Sequence, residues 1–300
     1  MKHLAYGAAV LTLVSLARPA RAGHRSRETT DTRESRSIRG CADFKVQFGD
    51  FDSLTGESQM RLTASEAAGL EVSASPNGGI WVQGGEGPDV LVTLCKAVPA
   101  DEKAKERLAK ISLSRNGARM VVNGPEDGDW AAHLIIRAPR GSSIALDAEN
   151  GPVSLREFSG TAKVESANGP VSLLGCRGTI SVDSQNGPIR VSETSGRVSL
   201  EARNGPLSVR LPDGGWTDGS LDGKTENGPL NLELARGPSS GIRVESAGRS
   251  PFHCLAPACR EARRNWDDDH KTIEFGTASP SVRLSTVNGP VSIDSIGLGD

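Results

Sequence analysis

The residues of this chain best suited to chemistry are the contiguous Asp267, Asp268, Asp269 and His270. Carboxylate oxygens and an imidazole nitrogen bind divalent cations, so Asp267, Asp269 and His270 are the candidate metal ligands. Consecutive strand residues point to opposite faces, however, and such a run on a loop is usually a solvated charge cluster. We therefore expect neither a metal site nor a cofactor.

No other group of reactive side chains has a spacing that indicates catalysis. The histidines are scattered, and no Ser/His/Asp or Cys/His grouping is visible. An enzyme acting on polysaccharides from a β-helix would need acids, or an acid with Arg or Lys, at matching outward positions of successive turns. The outward positions that the pattern predicts contain no acidic pair. They are Ser154, Lys163, Ser172, Ser181, Arg190, Ser199 and Ser208.

The segment from Ser246 to Lys271 gathers unlike functional groups outside the regular pattern of the chain. Loops on rigid scaffolds often contain binding sites, so Trp266, Asp267 and Asp268 form a candidate partner-binding loop. A disulfide between Cys254 and Cys259 would restrict this loop and present these side chains in one geometry.

The strands that must position these groups are indicated by a glycine that recurs every nine residues. An apolar pair stands two and four places after most of these glycines, as Val153 and Leu155 do after Gly151. Alternation at a fixed period predicts strands whose inward faces stack along one axis. The glycines are Gly151, Gly160, Gly169, Gly178, Gly187, Gly196, Gly205, Gly214 and Gly223.

Every second corner of this pattern reads Asn-Gly-Pro, so the true repeat has eighteen residues with two strands and two corners. Asn-Gly alone favours antiparallel hairpins, but the proline lacks the N–H that a two-residue turn needs. We predict an all-β fold, a β-solenoid in which parallel strands stack about 4.8 Å apart. Glycine should supply a positive φ at each corner, and the asparagines should form a side-chain ladder. The corner residues are Asn150, Gly151, Asn168, Gly169, Asn186, Gly187, Asn204, Gly205, Asn227, Gly228, Asn288 and Gly289.

The predicted solenoid domain covers residues 41–300. Residues 41–140 form an irregular first part with a short helix near 101–111, because that stretch has helix-forming composition and an acidic start. Regular repeats cover 141–298 and are interrupted by a loop at 213–224 and by the insert 246–271.

The N-terminus predicts export. Lys2 and His3 precede an apolar stretch over 4–16, and Ala20-Arg21-Ala22 is a small-x-small cleavage site, so residues 1–22 read as a signal peptide. A retained membrane anchor is the alternative, although the stretch is short for a span. Residues 23–40 are charged and predict a disordered linker. We expect a periplasmic, surface or secreted protein with no transmembrane span after cleavage.

Five cysteines in an exported chain predict two disulfides and one remaining thiol. Cys254 and Cys259 would form a local bridge, Cys41 and Cys95 would close the start of the fold, and Cys176 would be buried or at a corner. The alternative is that several cysteines stay reduced. With 35 basic and 37 acidic residues, the chain has no charge excess that would favour nucleic acid as a partner.

Several motifs together carry a family resemblance: the Asn-Gly-Pro strand starts, the stretch from Asp213 to Leu230 and the early Cys41-Ala42-Asp43-Phe44. They resemble the bacterial exported β-solenoid proteins that are grouped as a putative-adhesin domain family of unknown function, over roughly residues 41–298. The resemblance implies a non-enzymatic protein of the cell envelope. The insert from Cys254 to His270 departs from the family, so no role for it follows from the resemblance.

Two classes of function follow from these observations. The first is a binding or structural scaffold whose faces or loops contact an envelope protein or a glycan, and whose open ends expose strand edges for self-association. The alternative is a polysaccharide-active β-helix enzyme, a lyase or a hydrolase. The absence of an acidic pair among the outward positions favours the scaffold.

Overall fold

A computed structural model of the chain describes residues 38–50, 52–126, 129–211, 213–216, 218–235 and 241–296. The predicted signal peptide and residues 23–37 of the predicted linker lie outside these ranges. No helix within them is long and apolar enough to cross a bilayer.

Nearly all regular structure in these ranges is β-strand. One α-helix, α1 (Ala104–Lys110), lies within the region where the sequence predicts a helix, and Cys41–Asp43 and Pro257–Arg260 form short 3-10 helices. The strands are β1 (Ser53–Leu62), β2 (Leu70–Ser73), β3 (Ile80–Gly85), β4 (Val90–Pro99), β5 (Ser112–Asn116), β6 (Arg119–Asn123), β7 (Ala131–Pro139), β8 (Ser142–Ala148), β9 (Val153–Arg156), β10 (Ser159–Ser166), β11 (Val171–Leu174), β12 (Arg177–Ser184), β13 (Ile189–Ser192), β14 (Ser195–Ala202), β15 (Leu207–Arg210), β16 (Gly219–Thr225), β17 (Leu230–Leu234), β18 (Gly241–Ala247), β19 (Phe252–Cys254), β20 (Arg263–Trp266), β21 (His270–Phe275), β22 (Pro280–Thr286) and β23 (Val291–Ser295).

The strands form two large mixed sheets, so the fold is all-β as predicted. Sheet 1 has the order β1-β4-β7-β3-β9-β11-β13-β15-β17-β23-β19. Sheet 2 has the order β20-β21-β18-β22-β16-β14-β12-β10-β8-β2-β6-β5. The apolar inward faces of both sheets belong to one continuous core.

In the middle of both sheets, strands pair in parallel with strands eighteen residues away. Val171 lies between Val153 and Ile189 in sheet 1, and Ile180 lies between Ala162 and Val198 in sheet 2. These side chains are at most 2% exposed and form columns of apolar contacts along each sheet. β9 and β10 lie in different sheets, so the antiparallel hairpin weighed above does not form.

The glycines of the Asn-Gly-Pro corners are required by close backbone contact, and the prediction of a positive φ at every corner is wrong. Gly187 has no positive φ, but a Cβ there would lie 2.0 Å from the carbonyl oxygen of Gly169. Positive φ occurs at the alternate corners, at Gly160, Gly178 and Gly196. A Cβ at Gly178 would also lie 2.1 Å from the carbonyl oxygen of Gly160, so both kinds of corner need glycine for close backbone contact, and the alternate corners need it also for their φ.

The loop predicted over 213–224 is shorter than expected, because β16 begins at Gly219. Gly219 pairs with Gly196, twenty-three residues earlier, so five residues are inserted and the nine-residue glycine period ends. Gly223 is an inward residue whose absent side chain leaves room for Leu207 and Leu284. Gly214 and Gly223 are thus not corner residues of the repeat.

The insert 246–271 also contains β-structure. It contains the end of β18, all of β19 and β20, and the start of β21. The last strands of the chain lie inside the sheets, since β22 lies between β16 and β18 and β23 lies between β17 and β19. The start of the domain mirrors this arrangement, with β2 between β8 and β6 and β3 between β9 and β7.

Candidate functional site

The acidic run forms the turn between β20 and β21. The Asp267 carboxylate accepts hydrogen bonds from the backbone N–H groups of His270 (2.5 Å) and Asp269 (3.0 Å), which lower the pKa of Asp267. This carboxylate closes the turn. Within the described ranges, no three His, Cys, Asp or Glu side chains are arranged to hold a metal ion.

Trp266 ends the edge strand β20 and is 47% exposed. The centroid of its ring lies 5.6 Å from that of Phe252, and the Arg264 guanidinium carbon also lies 5.6 Å from the ring. Arg264 donates a hydrogen bond to the carbonyl of Cys259 (2.8 Å). These contacts hold an exposed aromatic face at the C-terminal end of sheet 2. We call residues 248–270 the C-terminal cap.

The two disulfides join the pairs expected from the sequence. Cys254 is bonded to Cys259 inside the cap, with Cα atoms 5.9 Å apart. Cys41 is bonded to Cys95 on β4, and the nearby Phe44 packs against Trp81 with the ring centroids 4.6 Å apart and the planes tilted by 56°. The first described residues are thereby fixed to the outer face of sheet 1.

Cys176 is a free, buried thiol. Its Sγ lies 3.3 Å from the carbonyl oxygen of Leu155, to which it donates a hydrogen bond. Burial raises the pKa of this thiol to about 11. A thiol in this environment is poorly suited to nucleophilic chemistry near neutral pH.

The corner asparagines form a ladder along one side of the molecule. From Asn168 onwards, Nδ2 of each asparagine donates a hydrogen bond to Oδ1 of the preceding asparagine in the ladder at 2.9 Å. Asn150, the first, donates to the carbonyl of Pro76 at 2.7 Å. All of these side chains are exposed. The ladder comprises Asn150, Asn168, Asn186, Asn204, Asn227 and Asn288.

A concave region lies on sheet 2 towards its C-terminal end. It has a volume of about 620 Å³ and is formed mainly by the outward side chains of β14, β16, β22 and β18. We call this region the charged cleft. Its lining residues are Ser199, Leu200, Glu201, Asp222, Gly223, Lys224, Arg243, Glu245, Arg283, Leu284 and Ser285.

Ion pairs connect the charged cleft with the hairpin β20–β21. Arg283 lies 3.6 Å from Asp222 across β22 and β16. Arg243 pairs with Glu245 and with Glu274 (3.4 Å), and Glu274 also contacts Arg263 of β20 at 3.1 Å. The side chains of Arg283 and Asp222 are 55% and 51% exposed, so a polar ligand could reach this pair.

A row of acidic side chains runs from the charged cleft along the outward face of sheet 2, and the prediction that this face has no acidic pair is wrong. Asp147, Glu165, Asp183 and Glu201 are aligned in register on neighbouring strands, and Lys224 follows Glu201 on β16. In the repeat, the strands of sheet 2 (β10, β12 and β14) have eight residues and those of sheet 1 (β9, β11 and β13) have four, so the sheet 2 strands carry a further outward position that the sequence analysis did not consider. An acidic residue three places before each of the first four ladder asparagines was the available signal.

Comparisons with known proteins give only distant likenesses. No protein-family profile and no curated protein matches the sequence. A putative cell adhesion protein from Clostridium sporogenes is 8% identical, with a TM-score of 0.32, over 81% of this chain and 100% of that one. A putative adhesin from Bacteroides fragilis is 10% identical, with a TM-score of 0.38, over 82% of this chain and 97% of that one. A putative lipid binding protein from Parabacteroides distasonis is 9% identical, with a TM-score of 0.27, over 81% of this chain and 97% of that one.

Proposed function

We propose that this protein is a non-enzymatic binding scaffold exported to the cell envelope, built as a β-solenoid with rungs of about eighteen residues. The parallel pairing of strands eighteen residues apart and the asparagine ladder support the solenoid. Each rung then contributes one strand to each sheet, joined at an Asn-Gly-Pro corner.

The proposed export rests on the two disulfides and on the N-terminal sequence. Disulfides persist in oxidising compartments outside the cytosol. Mass spectrometry of the protein from a periplasmic or surface fraction should identify Gly23 as the first residue. A mature protein that retains Met1 or Lys2 would contradict the predicted cleavage.

The main support for the proposed binding role is the charged cleft. Its volume of about 620 Å³ falls within the usual range for ligand sites, and three cations and three carboxylates line it. Such side chains can donate to and accept from a polyhydroxylated ligand at many points. We propose a charged envelope glycan as the ligand, with Arg263 of the neighbouring cap, which pairs with Glu274 on the same outward face, as an additional contact.

A glycan-binding assay with fragments of envelope polysaccharide tests this proposal. Arg283→Glu reverses the charge in the middle of the cleft and should abolish most of the binding. Lys163→Glu is the matched control, because Lys163 is also an exposed cation on the outward face of sheet 2 but lies on β10, outside the cleft. Wild-type binding by both variants would exclude the cleft as the site, and no binding of any fragment by the wild-type protein would contradict the glycan as the ligand.

A polysaccharide-active enzyme is the second candidate. The acidic row on sheet 2 and the neighbouring pair Asp222 and Arg283 place acids, and an acid beside an arginine, at matching outward positions on neighbouring strands, as such a site would require. The cleft is open, however, and the carboxylate of Asp222 is half exposed, so nothing excludes water from it. We expect no new reducing ends or unsaturated products from envelope polysaccharides. Product formation that Asp222→Asn abolishes would replace the scaffold proposal.

A further inference from the structure

The four strands at the ends of the two sheets differ in how well their open edges are protected. β19 has three residues, β20 has four and β5 has five, and short edge strands offer little template for pairing. β1 is an edge strand of ten residues, paired with β4 along its whole length without a bulge. No proline interrupts it, and no described strand pairs with its outer edge.

The side chains of β1 alternate as in a half-buried strand. Leu62 at its end is buried, whereas Thr55, Glu57, Gln59 and Arg61 are exposed on the outward face. Arg61 forms an ion pair with Asp89 at 3.3 Å, and its side chain remains 69% exposed. The exposed row thus carries one negative and one positive charge, two places on either side of Gln59.

We propose that β1 pairs with β1 of a second copy, in an antiparallel arrangement that joins two copies of sheet 1 about a two-fold axis at Gln59. This register places Glu57 opposite Arg61 of the second copy, and the symmetry forms the same pair twice. Registers centred on Glu57 or Arg61 would place like charges opposite each other. The register centred on Gln59 is the one in which opposite charges face each other, so charge complementarity favours a second copy as the partner and this register.

Pairing of this kind uses backbone hydrogen bonds that a long, unprotected edge leaves available. The charged cleft lies on sheet 2, so the dimer would leave it open. The proposed dimer could therefore be disproved without any consequence for ligand binding in the cleft. Molecular mass and crosslinking report on the dimer alone.

The molecular mass of the mature protein, measured by sedimentation over a range of micromolar concentrations, tests the proposal. Wild-type protein should form dimers. Glu57→Arg and Arg61→Glu should each weaken dimerisation on the order of tenfold or more, because each places like charges opposite each other twice. The double variant exchanges the two charges and should restore it. Glu149→Lys reverses an exposed charge away from β1 and should have no effect.

Crosslinking checks the register. Gln59→Cys places two thiols opposite each other at the axis, where residues paired across strands have Cβ atoms about 4.5–5.5 Å apart, so mild oxidation should yield a covalent dimer. Thr55→Cys would face a position beyond the end of the second strand and should not crosslink. A monomeric wild-type protein, or crosslinking at position 55 but not at 59, would overturn the proposal.

Discussion

Asn186 donates a hydrogen bond from Nδ2 to Oδ1 of Asn168, eighteen residues earlier in the chain, at 2.9 Å. Asn204 donates to Asn186 in the same way, so Asn186 takes part in two bonds of the ladder. Asn288, at the end of the ladder, donates to Asn227. The ladder links successive strand pairs through side chains, in addition to the backbone bonds of the two sheets.

Replacing an interior ladder residue should cost more than replacing the terminal one. We expect Asn186→Ala to lower the free energy of unfolding by about 1–2 kcal/mol, because two side-chain hydrogen bonds are lost at an exposed site. Asn288→Ala loses one and should cost less than about 1 kcal/mol. Denaturant unfolding measures both, and equal costs would show that the ladder contributes little to stability.

Gly187 and Gly141 illustrate the two reasons for glycine in this fold, which are close backbone contact and a positive φ. A Cβ at Gly187 would lie 2.0 Å from the Gly169 carbonyl oxygen, whereas Gly141 has a φ of +80° and open space around its Cα. Gly141→Ala should therefore cost about 1–2 kcal/mol through its backbone conformation alone. Gly187→Ala must separate two stacked backbones, so we expect a larger loss of stability or no folded protein. Similar unfolding midpoints for the two variants would contradict this account.

Ile180 and Ser181 test which face of sheet 2 is buried. Ile180 is 1% exposed between Ala162 and Val198, so Ile180→Asp places an unpaired charge in the core at a cost of several kcal/mol. Ser181→Asp adds its charge on the exposed face beside Lys163 and should be nearly neutral. Thermal unfolding monitored by circular dichroism would reveal the difference. Equal stability would mean that the two faces are wrongly assigned.

The middle of the fold could be predicted because the same eighteen-residue pattern recurs there in successive pairs of strands. The apolar columns through Val171 and Ile180 follow from alternation at a fixed period, and the prolines after Asn-Gly exclude the hairpin. The reason for glycine at Gly187 could not be predicted, because it depends on the distance between two stacked corners. The acidic row was missed for a simpler reason, since the length of the sheet 2 strands was underestimated.

The ends of the fold could not be predicted from the sequence, because their strand order departs from the chain order. β22 lies between β16 and β18, although β18 comes first along the chain. Alternation shows that Val282 and Leu284 face inward but does not indicate which strands flank them. The charged cleft depends on this arrangement, because β22 brings Arg283 between Asp222 of β16 and Arg243 of β18.

The buried thiol of Cys176 should make stability depend on pH in the alkaline range. Its pKa rises from 9.0 to about 11 on folding, so the unfolded chain loses this proton first as the pH rises. The stabilisation is complete below pH 9 and is lost between pH 9 and about 11, by roughly 2–3 kcal/mol. Cys176→Ala should remove this part of the decline. Parallel stability curves for wild type and variant would contradict the assignment.

Deletion of the C-terminal cap should lower the stability of the protein without preventing it from folding. Ser246 pairs with Lys271 across β18 and β21, so a short Gly/Ser linker can replace residues 248–270 as a hairpin turn. The buried Ala256 and Cys259 are lost, and stability should fall. The charged cleft and both sheets should remain, because no cleft-lining residue belongs to the cap. Circular dichroism would check the fold.

Ligand binding should weaken in the cap deletion, because Arg263 and its ion pair with Glu274 beside the cleft are lost. Arg263→Ala is the matched point variant and should reproduce much of the loss without changing either sheet, since this side chain is 73% exposed. Weaker binding by both variants with the fold intact would make the cap part of the binding surface. Unchanged binding by both would restrict that surface to the charged cleft, where Arg283→Glu provides the decisive comparison.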